Sequence, residues 1–92
     1  MQGGRTPAAI LDALGDPTRR LIFARLRREP SNVTILAKGL PVTRSAVSRH
    51  LQVLKGVGLV AAQAQGTQQV YRATPEGLGP LAEWIADARA AP

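Results

Sequence analysis

The chain has 92 residues, enough for one domain and too few for two. It has no cysteine, which excludes a disulfide framework, thiolate metal sites and thiol redox sensing. Twelve Lys and Arg against six Asp and Glu give a formal net charge of +6, a balance that suits a polyanionic partner and equally fits a solvated basic surface.

The chain opens with TPAAILDALG, a short helix with Ile10, Leu11 and Leu14 on one stripe and Gly15 at its end. DPTRRLIFARLRRE follows, with Asp16 as N-cap, Pro17 at the first helical position and an apolar face of Leu21, Ile22, Ala24 and Leu26. Pro30 closes that helix, and Asn32 caps a third, VTILAKGL, with Val33, Leu36, Ala37 and Leu40 directed inward. GLPVT is a turn in which Gly39 can take a positive φ and Pro41 drives Leu40 towards an extended conformation.

The fourth helix starts at the Thr43 cap and runs to about Val57. At about 100° per residue, Val47, Leu51 and Leu54 share a narrow arc, with Ser45, Ser48, Arg49, Gln52 and Lys55 opposite. Gly58 fits a left-handed C-terminal stop. The period then changes: LVAAQAQ and QQVYRA read as two strands joined at Gly66-Thr67. In TPEGLGPLAEWIADARA, Gly77, Gly79 and Pro80 predict a turn first and a helix from near Pro80, with Leu81, Ile85 and Ala88 as its stripe and Trp84 beside it.

The predicted fold class is therefore mainly α with a small β-hairpin, in the order α-α-α-α-β-β-α. A short helix, a tight turn and an amphipathic helix form a helix-turn-helix at about 32–57, and the hairpin at about 59–74 makes it winged. The whole chain, 1–92, is expected to be a single domain with terminal helices at 6–14 and 80–90. Charge follows the same division. Between Pro30 and Pro75 there is no acidic residue, while Lys38, Arg44, Arg49, Lys55 and Arg72 fall there. No apolar run approaches the roughly 20 residues of a membrane span, and the start MQGGRTPAAILDAL lacks the order of a secretory signal. The expectation is a soluble intracellular protein with no membrane partner.

The stretches LDALGDPTRRLIFARL, ILAKGL, RSAVSRHLQVLKGVGLV and VYRATPEGL, in that order and spacing, resemble the ArsR/SmtB family of bacterial winged-helix repressors over roughly residues 8–90. That resemblance implies a cytoplasmic, nucleoid-associated transcriptional regulator. It implies a homodimer joined chiefly through the first and last helices, through Ile10, Leu11, Leu14, Leu81, Trp84, Ile85 and Ala88. It also implies two recognition helices presented to a double-stranded DNA operator. A domain this small leaves a modest core, so apolar stripes on both terminal helices are compatible with a dimer and also with completion of the monomer.

Helix starts favour phosphate and Arg can pair with guanine, and the resemblance implies that Thr43, Arg44, Ser45, Ser48, Arg49 and Gln52 are the DNA-contacting set of the fourth helix; the residues alone equally fit a capping threonine followed by solvated polar side chains. In the wing, Gln68 and Arg72 are expected at the flanking backbone. The family's usual arginine-rich tip is replaced by Gln65, Thr67, Gln68 and Gln69, neutral donors that release no counterions. Tyr71 is assigned to strand packing. Arg19 and Arg20 could reach the DNA backbone or lie on an exposed helix surface, and Arg25, Arg27 and Arg28 are assigned to solvent. His50 is the single histidine and falls about 60° from the centre of the apolar arc. It lacks the partners a metal or catalytic site needs, so it is assigned to packing at the helix edge, where it could also offer a hydrogen bond to phosphate. No enzyme, metal site or cofactor is expected. The Cys pairs and Asp/His sets through which family members sense metals are missing, which leaves a repressor without an inducer, an autorepressor, or one answering a non-metal ligand or protein partner. Pro41 departs from the glycine usual in the family's turn. A winged helix used for protein association, with DNA binding incidental, is the alternative.

Overall fold

Side chains that cap the backbone mark where helices begin. In the computed structural model, which describes residues 5–90, the Thr6 hydroxyl accepts from the Ala9 N–H at 3.1 Å and the Asp16 carboxylate from the Arg19 N–H at 2.9 Å. The Asn32 side-chain oxygen accepts from the Ile35 N–H at 2.8 Å and the Thr43 hydroxyl from the Ala46 N–H at 3.1 Å. Each cap satisfies an amide that the helix itself leaves without a partner. The helices that follow are α1 (Pro7–Leu14), α2 (Pro17–Arg28), α3 (Val33–Lys38) and α4 (Arg44–Gly56). Strands β1 (Val60–Gln65) and β2 (Gln68–Ala73) form an antiparallel hairpin, a 3-10 turn covers Pro75–Leu78, and α5 (Gly79–Ala90) ends the order. The expected domain extent of 1–92 includes residues 1–4 and 91–92, which lie outside the described residues.

The winged helix-turn-helix expected from the pattern is present. In α4 the inner arc is complete: Val47, Leu51 and Leu54 are each 0% exposed. Around it pack Ile10 and Ala13 of α1, Ile22, Phe23 and Leu26 of α2, Leu36 of α3, Leu59 and Val60 at the wing, Tyr71 of β2 and Leu81 of α5. The inward face of α2 differs from the predicted one. Phe23 is buried, while Leu21 and Ala24 are exposed. Two apolar stripes are available on this helix, and the α4 and β2 partners select the one carrying the ring.

Two glycines serve the fold in different ways. Gly58 has φ of 80°, the left-handed stop that separates α4 from β1. The predicted positive φ at Gly39 is not found: its φ is −100°. The Arg25 guanidinium lies over this glycine, so a side chain there would make the arginine swing aside. After the wing, the Thr74 hydroxyl donates to the Gly58 carbonyl at 2.7 Å, and a Cβ on Gly77 would meet the same carbonyl. This contact pins the chain at the base of the wing and forces the turn that precedes α5.

Replacing Leu54 by Ala should lower stability by about 2–5 kcal/mol, the cost of emptying a closed core site. Leu21→Ala should change it by no more than about 0.5 kcal/mol, because that side chain stands 52% exposed. Urea denaturation monitored by circular dichroism checks both, and equal losses would mean that α2 packs through its other stripe.

Candidate nucleic-acid interface

Burial of the inner arc turns the polar side of α4 outward. Thr43, Arg44, Ser45, Ser48, Arg49 and Gln52 are all exposed. They are not equivalent in direction. At about 100° per residue Arg49 stands nearly opposite the Val47–Leu51–Leu54 arc, whereas Arg44 lies about 50° from it, on one flank. That flank faces the wing. Arg44, Asn32, Thr34, Thr67, Gln68 and Tyr71 are among the residues lining an open cleft of about 420 Å³ between α3, the start of α4 and the hairpin.

The cleft is organised by a directional chain of amides. Asn32 Oδ1 accepts from the Ile35 backbone N–H, so its Nδ2 is a donor facing outward, and that atom donates to Gln68 Oε1 at 2.8 Å. With its oxygen engaged, the remaining end of the Gln68 amide is the NH₂ group. Below it, Ser31 and Tyr71 exchange backbone hydrogen bonds of 3.0 and 2.7 Å, which fastens β2 to the start of α3. The Tyr71 ring is buried, as expected for strand packing. Arg72 points to the opposite side of β2 from Tyr71, is exposed and does not line the cleft. Sequence reasoning missed Thr34 and the Asn32–Gln68 link: a cap is visible locally, but a partner 36 positions away is not.

The other flank of α4 faces α2. His50 is half-buried there, its Nδ1 3.4 Å from Arg19 Nη1 and 3.9 Å from the Asp16 carboxylate. Arg19 in turn donates from Nε to the Ala13 carbonyl at 2.6 Å and from Nη2 to the Asp12 carbonyl at 3.3 Å, and Arg20 Nη1 donates to Leu14 at 2.7 Å. Both arginines considered for the DNA backbone are thus folded onto the C-terminal carbonyls of α1, where a cation is favoured. Arg25, assigned to solvent, donates from Nη2 to the Gly39 carbonyl at 2.9 Å. The Asp16 carboxyl is held below the ordinary carboxylate range chiefly by the Arg19 N–H it caps, with the nearby His50 and Arg19 side chains adding to the effect.

This geometry agrees with known proteins. A helix-turn-helix domain model matches residues 14–62. The HTH-type transcriptional regulator Rv2034 of Mycobacterium tuberculosis is 48% identical over 77 residues, covering 84% of this chain and 72% of that protein. An ArsR-like transcriptional regulator from Rhodococcus sp. RHA1 superposes with a TM-score of 0.82 at 34% identity, covering 91% of this chain and 79% of its own. A homodimeric winged helix-turn-helix DNA-binding domain from Mycobacterium bovis gives 0.72 at 29% identity, covering 91% and 81%. The chain belongs to the ArsR/SmtB family of helix-turn-helix transcriptional regulators.

In this ArsR/SmtB chain α1 packs against α5, and the structure divides the seven residues assigned to a dimer surface. Ile10 is 0% and Leu81 8% exposed within the protomer, and Leu14 is half-buried against the same core. Ile10 and Leu81 are thus taken up by the protomer core, while Leu14 keeps part of its surface accessible. Leu11, Trp84, Ile85 and Ala88 remain exposed. Among the described residues there is no group of three or more His, Cys, Asp or Glu placed to hold a metal, and no helix is long and apolar enough to cross a membrane.

Two stability measurements test the supports of this surface. Asn32→Ala should lower stability by about 1 kcal/mol through loss of the α3 cap, read from urea midpoints. Because folding depresses the Asp16 pKa, its contribution is present at neutral pH and disappears as pH falls through the folded-state value. Asp16→Asn, which keeps a capping oxygen, should therefore give a shallower acid limb than wild type between pH 6 and pH 3.

Proposed function

We propose that the protein is a homodimeric, sequence-specific DNA-binding repressor that occupies a pseudo-palindromic operator and excludes polymerase. The observation that carries this reading is the exposed, acid-free outer side of α4, held beside a wing by a fully buried inner arc. Ser45, Ser48, Arg49 and Gln52, with Arg44 at the helix start, face the major groove. Thr43 contacts phosphate besides capping α4, and Gln68 and Arg72 serve the flanking backbone. The M. bovis domain of the same fold is a homodimer that binds DNA. α5 supports the same assembly here: from Ala82 to Ala90 every residue is exposed, Trp84 at 53% and Ile85 at 44%. A helix of 12 residues is marginal in water without a packed face, and a second copy offers the same apolar surface in return. The protein works in the bacterial cytoplasm, associated with the nucleoid when bound. Its signal, where one operates, is a non-metal ligand or a protein partner.

Two experiments test the proposal. On an operator selected from a randomised pool, Arg49→Ala should weaken binding by about 1–3 kcal/mol with little effect on random duplex, the signature of a base contact. Equal losses on both duplexes would reassign Arg49 to phosphate. Trp84→Arg should convert a dimer into a folded monomer in light scattering after size exclusion, and a mass unchanged from wild type would refute the α5 interface.

A further inference from the structure

The cleft between α3, Arg44 and the wing is unlike the rest of the reading surface. Its lining residues include no carboxylate. Its cation, Arg44, is exposed and sits on the wing-facing flank of α4, away from the outermost line occupied by Arg49. Its wing-side wall is Gln68, whose amide cannot rotate freely between donor and acceptor presentations. The Ile35 N–H fixes the orientation of Asn32, and Asn32 Nδ2 then fixes Gln68 by engaging its oxygen at 2.8 Å. What Gln68 offers to a ligand is NH₂. Thr34 and Thr67 add hydroxyls from the facing walls. A guanidinium, an oriented amide donor and two hydroxyls, with no acidic side chain among the lining, form a receptor for a phosphate oxygen.

We infer that this cleft is the seat for a backbone phosphate of the bound duplex, clamped between Arg44 of α4 and Gln68 of the wing. The inference rests on the DNA-binding reading above and sharpens it. Arg44 leaves the base-reading group and becomes a register-setting phosphate contact. The wing takes part through a neutral donor whose direction is set by α3. Such a contact carries no sequence information. Only its Arg44 half contributes to counterion release, at about 0.9 in the salt exponent per neutralised phosphate, so close to two per dimer.

The test measures binding of the full chain to the selected operator and to a random duplex of equal length, across salt concentrations from 50 to 200 mM, with thermal melts to confirm folding. Arg44→Gln should weaken binding to both duplexes by the same factor and lower the salt exponent by about two per dimer. Arg44→Lys, which keeps the charge, should retain the wild-type exponent. Gln68→Glu still accepts from Asn32 but places a carboxylate in the seat, and should weaken binding to both duplexes by about tenfold at low salt. Gln68→Lys should strengthen binding and steepen the salt dependence. Loss confined to the operator in Arg44→Gln, with the exponent unchanged, would make Arg44 a base reader and overturn the seat. Unchanged affinity in Gln68→Glu would remove the wing from it. A wild-type protein that binds neither duplex at 50 mM salt overturns the DNA-binding reading itself, and the seat with it.

Discussion

Burial of one arc of α4 is the constraint on which the rest depends. An isolated amphipathic helix has no preferred rotation about its own axis. Val47, Leu51 and Leu54 remove that freedom because all three are closed off from solvent, and rotating any of them outward would expose apolar surface and open a void. Once the arc is fixed, the azimuth of every other α4 side chain follows. Arg49 and Ser45 project away from the body, His50 meets α2 on one flank and Arg44 meets the wing cleft on the other. The reading surface is therefore a consequence of core packing, and its precision is that of the core.

Although the chain is strongly basic, a part of that charge works inside the fold. Arg19, Arg20 and Arg25 donate to carbonyls at the ends of α1 and α3, groups that helix geometry leaves without partners. A guanidinium does this well, since its planar fork reaches two acceptors while its charge meets the negative end of the helix. The Arg19 fork also touches His50, so the end of α1 and the middle of α4 share one side chain. Counting Lys and Arg therefore overstates the charge available to a polyanion. The residues that matter are those on the acid-free middle of the chain.

What could be read in the sequence was what local chemistry decides. The caps at Asp16, Asn32 and Thr43, the inner arc of α4, the hairpin at Gly66-Thr67 and the delayed start of α5 each follow from neighbours within a few positions, and the structure has them where expected. The misreadings share one cause. Leu21 and Phe23 are both apolar and both fit a helical stripe, and only the elements packed against α2 choose between them. Ile10 and Leu81 lie on the stripes of the terminal helices, yet α1 and α5 cover one another, so these residues fill the monomer and leave Leu11, Trp84 and Ile85 outside. Gly39 was read for its backbone freedom, whereas its φ is negative and the Arg25 guanidinium lies over it. No local signal shows that an arginine 14 positions earlier folds over this turn.

The two flanks of α4 give the helix different attachments. Towards α2 it is held by His50 beside Asp16 and Arg19, groups that reach back to α1 and so to the surface proposed for the second copy. Towards the wing its neighbours are amides and hydroxyls, organised from the α3 cap rather than by opposite charges. A basic wing tip would attract any phosphate within a Debye length and would do so in no particular register. An oriented amide acts only at hydrogen-bond distance, so a wing of this kind adds little to random encounter. It favours one placement of the duplex against α4, and in that arrangement the loss of charge at the tip shifts the wing's contribution from attraction to alignment.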